Sequence, residues 1–572
     1  MPRYIVGFSV PLVHASHPLS HDASNLGRPP KIVDKSPNPF TPLKLPVFRD
    51  RWIASTVSSV GTWMQDTAGT WLMTAITASP LLIALMQTAA SLPVVILGLL
   101  AGATADIFDR RKLLIFWQIW MFGSVAILSV LTFCGIISPA TLLVLTFALN
   151  IGSAMNNPAW QAIVPELVPR EEIPNAVALN AASNNLARAV GPALGGLMVA
   201  AFVTAGRGSA WVFLLNAASF AGVIYILVRW KRVPIYKSAL PAERIAGSIR
   251  SGLRYIRYSP SLQSSLARAF VFAFFVSAVW SLLAVVAAQD LHQGALGYGL
   301  LNGSLGLGAV LGATMLARTR RHLEADSILT IASLMYTVCF LVLAFVHRPS
   351  IIVPVLILSG FCWTSAMATL NVSVQLCVPA WVQARALGAY LTVFQGGLAL
   401  GSVLWGLLAE HYSTKTALFV AAAGMIAALP FATRFHILTG PPPDLSPYQW
   451  KRPLPPLDSS PELMDGPVRV SVDYRVRDAD YAEFTQAIHR MRDVRLRDGA
   501  IRWGIYRDAT DPEHLNETFI MESWIDYLRV RERMTAADSE VWEHVKRLHA
   551  GEGLPLITHQ LYAKEIARPT NS

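Results

Sequence analysis

Two charged side chains, Asp66 and Arg188, lie within long apolar stretches of this 572-residue sequence. An ionisable group inside such a stretch is costly, and it usually faces a cavity or a partner and marks an ion or proton path. We predict that Asp66 binds and releases a proton during a reaction cycle. The alternative is that Asp66 lies near a helix end or hydrogen-bonds for packing. Arg188 would either pair with Asp66 or hold a bent helix, because the sequence does not give their separation.

A second group of charged residues follows an apolar stretch, in the segment GATADIFDRRK at 102–112. Glycine permits close helix approach, an acid can meet a helix N-terminus, and the cations can exchange partners. The segment therefore predicts a gating loop whose contacts change as a path opens. Its candidate residues are Gly102, Asp106, Asp109, Arg110 and Arg111.

Another cluster combines small residues with proline: Gly191, Pro192, Gly195 and Gly196. Proline removes one backbone hydrogen bond and bends a helix, and glycine allows a neighbouring helix to approach closely. Packing alone would also favour glycine at these positions. Gly401 and Gly406 repeat part of the pattern in the second half of the chain.

Polar and aromatic residues supply candidates for a small-molecule cavity. Asn157, Gln161 and Pro165 recur with identical spacing as Asn371, Gln375 and Pro379, which favours a duplicated chain. The alternatives are that the amides cross-link helices and that the tryptophans contact lipid. The cavity candidates are Trp63, Gln65, Asn157, Gln161, Asn371 and Gln375.

The composition places all of these residues in a membrane protein. Hydrophobic residues make up 53% of the chain and charged residues 15%, whereas soluble domains have about a quarter charged residues. The net charge is +11, but the Lys and Arg fall between apolar runs rather than along one soluble face. We therefore expect the charge to report membrane topology, with no nucleic acid partner, no metal and no cofactor.

A helix needs about twenty mostly apolar residues to span a bilayer, and twelve candidate spans have that length. Lys and Arg concentrate in the even-numbered connections, which places those connections and both termini in the cytoplasm. The predicted fold is an all-α membrane protein of two six-helix halves. The predicted regions are a disordered leader at 1–48, bundles at 49–231 and 263–438, and a cytoplasmic linker with an amphipathic helix at 232–262.

The C-terminal part has a different pattern. A proline-rich linker at 439–464 precedes a predicted soluble α+β domain at 465–567. Alternating apolar residues from Val468 to Val476 predict a strand, and a helical face follows from Tyr481 to Met491. Further strands are predicted at 501–506, 518–524 and 556–562. The tail has no phosphate-binding glycine loop and no nucleophile constellation.

The segment at 102–112 resembles the loop signature of the major facilitator superfamily, from which it departs at Thr104, Ile107 and Asp109. VGTWMQ at 60–65 and NPAWQAIVPELVP at 157–169 resemble the branch that includes the enterobactin exporter. Arg188 and the Gly191–Gly196 cluster match the antiporter signature of that family. The resemblance implies a transporter, not an enzyme, that exports a siderophore-like or drug-like molecule across a bacterial inner membrane by proton antiport.

The tail resembles the ferredoxin-like domain of small antibiotic-biosynthesis monooxygenases, so a homodimer through this domain is expected by analogy. Two other functions stay open at this point. One is a membrane-tethered enzyme in which the tail oxidises a hydrophobic compound. The other is a ligand sensor whose helical part does not transport.

Overall fold

The computed structural model describes residues 40–230, 245–437, 443–448, 462 and 464–563. Most of the predicted leader and of the proline-rich linker lies outside these residues. Long helices dominate the described part up to residue 437. The first group is α1 (Pro46–Ile76), α2 (Pro80–Ile107), α3 (Arg110–Phe133), α4 (Pro139–Ala162), α5 (Ile173–Ala200) and α6 (Ala205–Arg229).

A shorter helix, α7 (Ile245–Arg257), precedes the second group. Nine helices in the described ranges are long and apolar enough to cross a membrane, which confirms a helical membrane architecture. The second group is α8 (Pro260–Val285, extended by a π-helical turn at Val286–Asp290), α9 (Ala295–His322), α10 (Ala325–Phe345), α11 (Pro349–Leu376), α12 (Gln383–His411) and α13 (Thr414–Ala427), followed by the single turn α14 (Phe431–Arg434).

Proline and hydroxyl residues set many of the helix starts. Proline stands in the first turn of α1, α2, α4, α8 and α11, where its missing N–H costs no hydrogen bond. The side chains of Ser79 and Ser138 cap α2 and α4 by accepting hydrogen bonds from backbone N–H groups of the first turn. These short, well-capped connections let consecutive apolar helices run antiparallel.

In each of the two groups of six helices, glycines of one helix contact a helix of the same half and a helix of the other half. This shared arrangement supports the internal repeat. In α5, Gly191 lies against α1, and Gly196 lies against α9 of the other half, where an added Cβ would stand 2.6 Å from the carbonyl oxygen of Ala295. In α12, Gly401 lies against α8, and Gly406 lies against α2 of the other half. The glycine cluster thus provides tight helix crossings within and between the halves.

The C-terminal domain is a four-stranded antiparallel sheet with the strand order β2-β3-β1-β4. Val470, Tyr474, Phe484, Phe519 and Met521 are buried in its core. The elements are β1 (Val468–Arg475), α15 (Tyr481–Asp498), β2 (Arg502–Arg507), β3 (His514–Met521), α16 (Trp524–Arg533), α17 (Ala536–Arg547) and β4 (Leu556–Leu561).

One predicted strand was misplaced. The sequence pattern suggested a strand at 518–524, but β3 spans His514–Met521. The strand ends earlier because the side chain of Ser523 accepts a hydrogen bond from the backbone N–H of Asp526 and so caps α16. Trp524 is therefore the first residue of a helix.

Candidate substrate cavity

A cavity of about 270 Å³ lies between the two halves. Asp66 on α1 and Arg188 on α5 both line it, together with three tryptophans and several polar side chains from both halves. Eight helices contribute, so the cavity exists only when the two halves are packed together. The other lining residues are Trp63, Thr70, Ile83, Met86, Gln87, Ala90, Thr146, Trp280, Leu283, Tyr298, Asn302, Trp363, Gln395 and Leu398.

Asp66 lies about three helical turns before the end of α1, not at the helix end. Its side chain is exposed to the cavity, whereas its neighbours Gln65 and Thr67 are buried. Thr70, one turn further along α1, and Tyr298 of α9 line the cavity beside it. The carboxyl group can therefore meet water or a ligand within the helical bundle.

Arg188 contacts an aromatic ring rather than a carboxylate. Its Cζ lies 5.2 Å from the ring centroid of Trp63, and its Nε is buried without a hydrogen-bond partner among the described residues. Within that part of the chain, Asp66 and Arg188 share the cavity but form no ion pair with each other. One carboxyl group and one guanidinium group thus lie in the same cavity without pairing with each other.

Of the six candidate cavity residues, Trp63 lines the cavity, whereas the five amide side chains lie elsewhere. Gln65 is buried and accepts a hydrogen bond from Nδ2 of Asn216 on α6 at 2.5 Å. Gln161 donates to Asn157 at 3.3 Å near the end of α4, and Gln375 donates to Asn371 at 2.6 Å near the end of α11. The repeated spacing therefore produces the same one-turn hydrogen bond in both halves, outside the cavity lining.

The predicted gating loop makes its contacts within the first half. Asp109 caps α3 by accepting a hydrogen bond from the backbone N–H of Lys112 at 3.0 Å. Arg110 pairs with Glu166 at 2.9 Å. Arg111 donates to the carbonyl oxygens of Leu227 and Val228 at the end of α6.

The other two residues of the loop add less to this picture. Among the described residues, no atom outside the local helix lies within 4 Å of the Cβ position at Gly102. The side chain of Asp106 lies outside the described atoms. The arginines thus hold α3 against α4 and α6 in this conformation, and an exchange of partners stays a prediction.

The sequence pattern did not single out several cavity residues. Gln87, Asn302 and Gln395 are amides within apolar spans. A polar residue in such a span is the same kind of signal that indicated Asp66, but an uncharged amide gives a weaker one. Trp280 and Trp363 had no comparable signal, because tryptophan is common throughout membrane spans. Asn302 also donates to the hydroxyl of Thr67 at 3.3 Å, which joins α9 to α1.

The two ends of the helical bundle differ. At the end with the α1–α2 connection, Glu410 of α12 accepts hydrogen bonds from the hydroxyl of Ser79 at 2.8 Å and from the N–H of Leu81 at 3.3 Å. Gln289 donates to the carbonyl oxygen of Ala78 at 3.0 Å. These contacts join the halves and close that end.

The opposite end is called the domain-bearing end here, because the C-terminal domain lies there. Asn184 lies one turn before Arg188 on the same face of α5, and its side chain is exposed. Ser59 of α1 donates to Asn184 at 3.4 Å, so this position lies at the mouth between α1 and α5. Polar positions on α1 and α5 thus continue from Arg188 toward the domain-bearing end.

Two helical halves around a charged cavity that is closed at one end define a membrane transporter fold of the major facilitator type. A family model described as transmembrane secretion effector matches residues 37–569, and the chain belongs to that family. The match continues through the C-terminal domain.

Known transporters share parts of this sequence. The chain is 30% identical over 41% of its length to an uncharacterised major-facilitator-type transporter, YfiS, of Bacillus subtilis, of which the match spans 56%. It is 25% identical over 62% of its length to the multidrug efflux pump Tap of Mycolicibacterium fortuitum, of which the match spans 88%. The staphyloferrin A transporter of Staphylococcus aureus is 28% identical over 25% of this chain and 36% of its own length.

Solved structures share the fold. A mutant of the nucleoside transporter NupG superimposes with a TM-score of 0.56 at 12% identity, over 68% of this chain and all of that one. The D-xylose-proton symporter superimposes with a TM-score of 0.54 at 13% identity, over 68% of this chain and 97% of its own. At these identities the likeness concerns the fold alone.

Proposed function

We propose that this protein is a secondary active exporter that exchanges a small molecule for protons by alternating access. The observation that carries the proposal is the shared cavity of Asp66 and Arg188, in which neither charge neutralises the other. A carboxylate that meets water inside the bundle can bind a proton from one side and release it to the other when the halves rock.

The proposed topology has twelve spans, α1–α6 and α8–α13, in a bacterial inner membrane. Nine of these helices are long and apolar enough to be recognised as spans, and α1, α5 and α13 are the other three. Helices α1 and α5 are less apolar and carry the cavity charges, and α13 is shorter, with 14 residues. The cations near the domain-bearing end support a cytoplasmic location for that end, both termini and the C-terminal domain. We infer that the cavity opens toward this end, where an exporter would load its substrate.

The proposed substrates are amphipathic molecules of drug or siderophore type. Trp63, Trp280, Trp363 and Tyr298 offer aromatic surface, and the two charges and the amides offer polar contacts. The names of two relatives, a multidrug efflux pump and a staphyloferrin A transporter, support this proposal. We also propose that the chain belongs to the branch that includes the enterobactin exporter, which its sequence resembles at 60–65 and 157–169.

For the C-terminal domain we propose a ferredoxin-like fold that pairs with a second copy of the chain. The sheet order β2-β3-β1-β4 and the helices on one face support the fold. The other face carries Arg469, Arg475 and Tyr506, which are exposed. Measuring the mass of the purified protein in detergent tests the dimer, since a monomer at micromolar concentration contradicts it.

The test of transport uses cells that express the wild-type chain or Asp66→Asn. We expect wild-type cells to accumulate less ethidium than empty cells, and everted vesicles to release protons when ethidium is added. Asp66→Asn should abolish proton coupling while the protein still reaches the membrane. Asp290→Asn is the matched control, since Asp290 is exposed at the end of the π-helical turn outside the cavity. Unchanged coupling in Asp66→Asn contradicts the proposal.

A further inference from the structure

Arginine side chains fasten the C-terminal domain to α7. Arg254 of α7 donates from Nη1 to the carbonyl oxygen of Gly499, which follows α15, at 3.0 Å. Arg250, one turn earlier, forms an ion pair of 2.7 Å with Glu522. Just after α7, Tyr258 packs against the hydrophobic core of the C-terminal domain. The domain is therefore bound to the linker region between the two helical halves.

A second layer of contacts joins the domain to the turn between α11 and α12. The guanidinium of Arg533 lies 4.4 Å from the ring centroid of Trp381 in this turn, and Arg497 lies 5.3 Å from the ring of Tyr255 on α7. The rings of Tyr255 and Trp381 meet edge to face at 5.7 Å. Arginine, tryptophan and tyrosine are the residues that most often dominate interface affinity. This composition is that of a specific interface.

An adjacent face of α7 is attached to the second helical half. Arg385 of α12 donates to the hydroxyl of Ser251 at 2.7 Å, and the Tyr255 hydroxyl donates to the carbonyl oxygen of Cys377 at 3.4 Å. Ser251 and Tyr255 are each 2% exposed. Helix α7 is thus held between the C-terminal domain and the start of α12, rather than lying free on a membrane surface.

This arrangement fixes the domain-bearing end of α12, the helix that pairs with α2 across the two halves. Contacts of α12 with α2 continue from Gly406 beside Leu81 to Gly98 beside Thr392. Residues of both α2 and α12 line the cavity, so closing it at the domain-bearing end would move these two helices relative to each other there. A contact that forms in one conformation and is lost in another increases the population of the first conformation. The size of this shift is set by the difference in interaction free energy between the two conformations.

We propose that the C-terminal domain is a brace that favours the conformation in which the cavity opens toward the domain-bearing end. The brace acts through α7 on the α11–α12 turn. A ligand or a second copy that altered the domain would then alter the population of this conformation. The inference rests on the proposed alternating access and assigns the domain a part in it.

The test uses the full chain in lipid nanodiscs, where both ends are accessible. Cys134→Ser removes the exposed cysteine, and Asn184→Cys places a reporter at the cavity mouth. The combined variant Arg254→Ala with Trp381→Leu removes one contact from each layer without changing the C-terminal domain. Leu253→Ala, at a 58% exposed position of α7, is the matched control.

Two readouts are compared: hydrogen exchange of α7 and the rate at which a maleimide modifies the reporter cysteine. We expect the combined variant to lose protection in α7 and to be modified at least threefold more slowly, with the control unchanged and Arg254→Lys in between. Loss of protection with an unchanged modification rate overturns the brace. Unchanged protection also overturns it, because the contacts then do not hold the domain.

Thermal unfolding of each variant is recorded in parallel, so that a general loss of folding is recognised. If the combined variant does not fold, Arg254→Lys, which retains a cation and a donor, is compared with the wild-type chain instead. The same two readouts, hydrogen exchange of α7 and maleimide modification, are used. Export of ethidium is measured separately in cells. A wild-type chain that exports no probe counts against the proposed function and leaves the labelling comparison intact.

Discussion

The guanidinium of Arg188 lies over the ring of Trp63, 5.2 Å from its centroid, while both side chains line the central cavity. The ring orients the cation without neutralising it, since an aromatic face attracts a cation through its quadrupole and carries no net charge. A carboxylate partner would instead neutralise the charge of Arg188, which would then be less available to a ligand in the cavity. The aromatic contact thus keeps Arg188 in place for a substrate.

Trp63→Ala should therefore weaken transport by misplacing Arg188. A cation–π contact contributes about 0.5–2 kcal/mol, which corresponds to a loss of about two- to thirtyfold in transport efficiency. Trp63→Phe keeps an aromatic face and should lose less. Initial export rates at several ethidium concentrations measure the effect. Equal losses in the alanine and phenylalanine variants would show that the ring face is not what positions Arg188.

Glu410→Ala should loosen the closed end of the cavity. Glu410 of α12 accepts hydrogen bonds from Ser79 and Leu81 at the start of α2, where a negative charge also favours the helix dipole. Such a contribution is about 0.3–1 kcal/mol, so cross-linking of Ala78→Cys to Gln289→Cys should fall about two- to fivefold. Glu410→Gln keeps an acceptor and should fall less.

Glu324→Ala is the control for that experiment, because Glu324 is exposed at the start of α10 and at the other end of the bundle. Cross-linking should be unaffected by this change. A similar decrease in both alanine variants would mean that general loosening, rather than the contact between α2 and α12, explains the result.

Gly196→Val should destabilise the packing of the two halves. An added Cβ at Gly196 would lie 2.6 Å from the carbonyl oxygen of Ala295 and 2.9 Å from Cα of Gly299, both on α9. Overpacking of this kind costs about 1–3 kcal/mol. Thermal unfolding in detergent should shift down for Gly196→Val and stay unchanged for Gly222→Ala, since nothing lies within 4 Å of the Cβ position at Gly222. An unshifted midpoint for Gly196→Val would contradict the close crossing of α5 and α9.

Glu517→Ala should unfold or strongly destabilise the C-terminal domain. Glu517 is fully buried and accepts hydrogen bonds from Arg495 at 3.3 Å, the Tyr474 hydroxyl at 3.0 Å and the Trp503 indole at 3.0 Å. Removing one member of a buried charge pair costs about 3–5 kcal/mol, because its partner stays buried without compensation. Hydrogen exchange of β1 and β3 in the full chain measures the loss. Glu513→Ala, at an exposed position just before β3, should leave exchange unchanged.

The sequence alone determined the helical membrane architecture and indicated that the two central charges face a cavity or a partner. Long apolar runs must form helices in a bilayer, because every backbone polar group needs an internal partner there. A charge within such a run must face a cavity or a partner, which is how Asp66 and Arg188 were found and why they lie where a path was expected. The repeated Asn and Gln spacing also predicted equivalent structures, and the same hydrogen bond occurs in α4 and α11.

Only the tertiary structure decided which side chains meet. Gln65 and Asp66 are adjacent in sequence, yet one binds Asn216 and the other faces the cavity, because successive residues of a helix point about 100° apart and the neighbouring helices decide what each direction meets. The contact between Arg533 and Trp381 joins residues far apart in the chain. Such pairs depend on how separate elements pack against one another, and no local pattern in the sequence encodes that geometry.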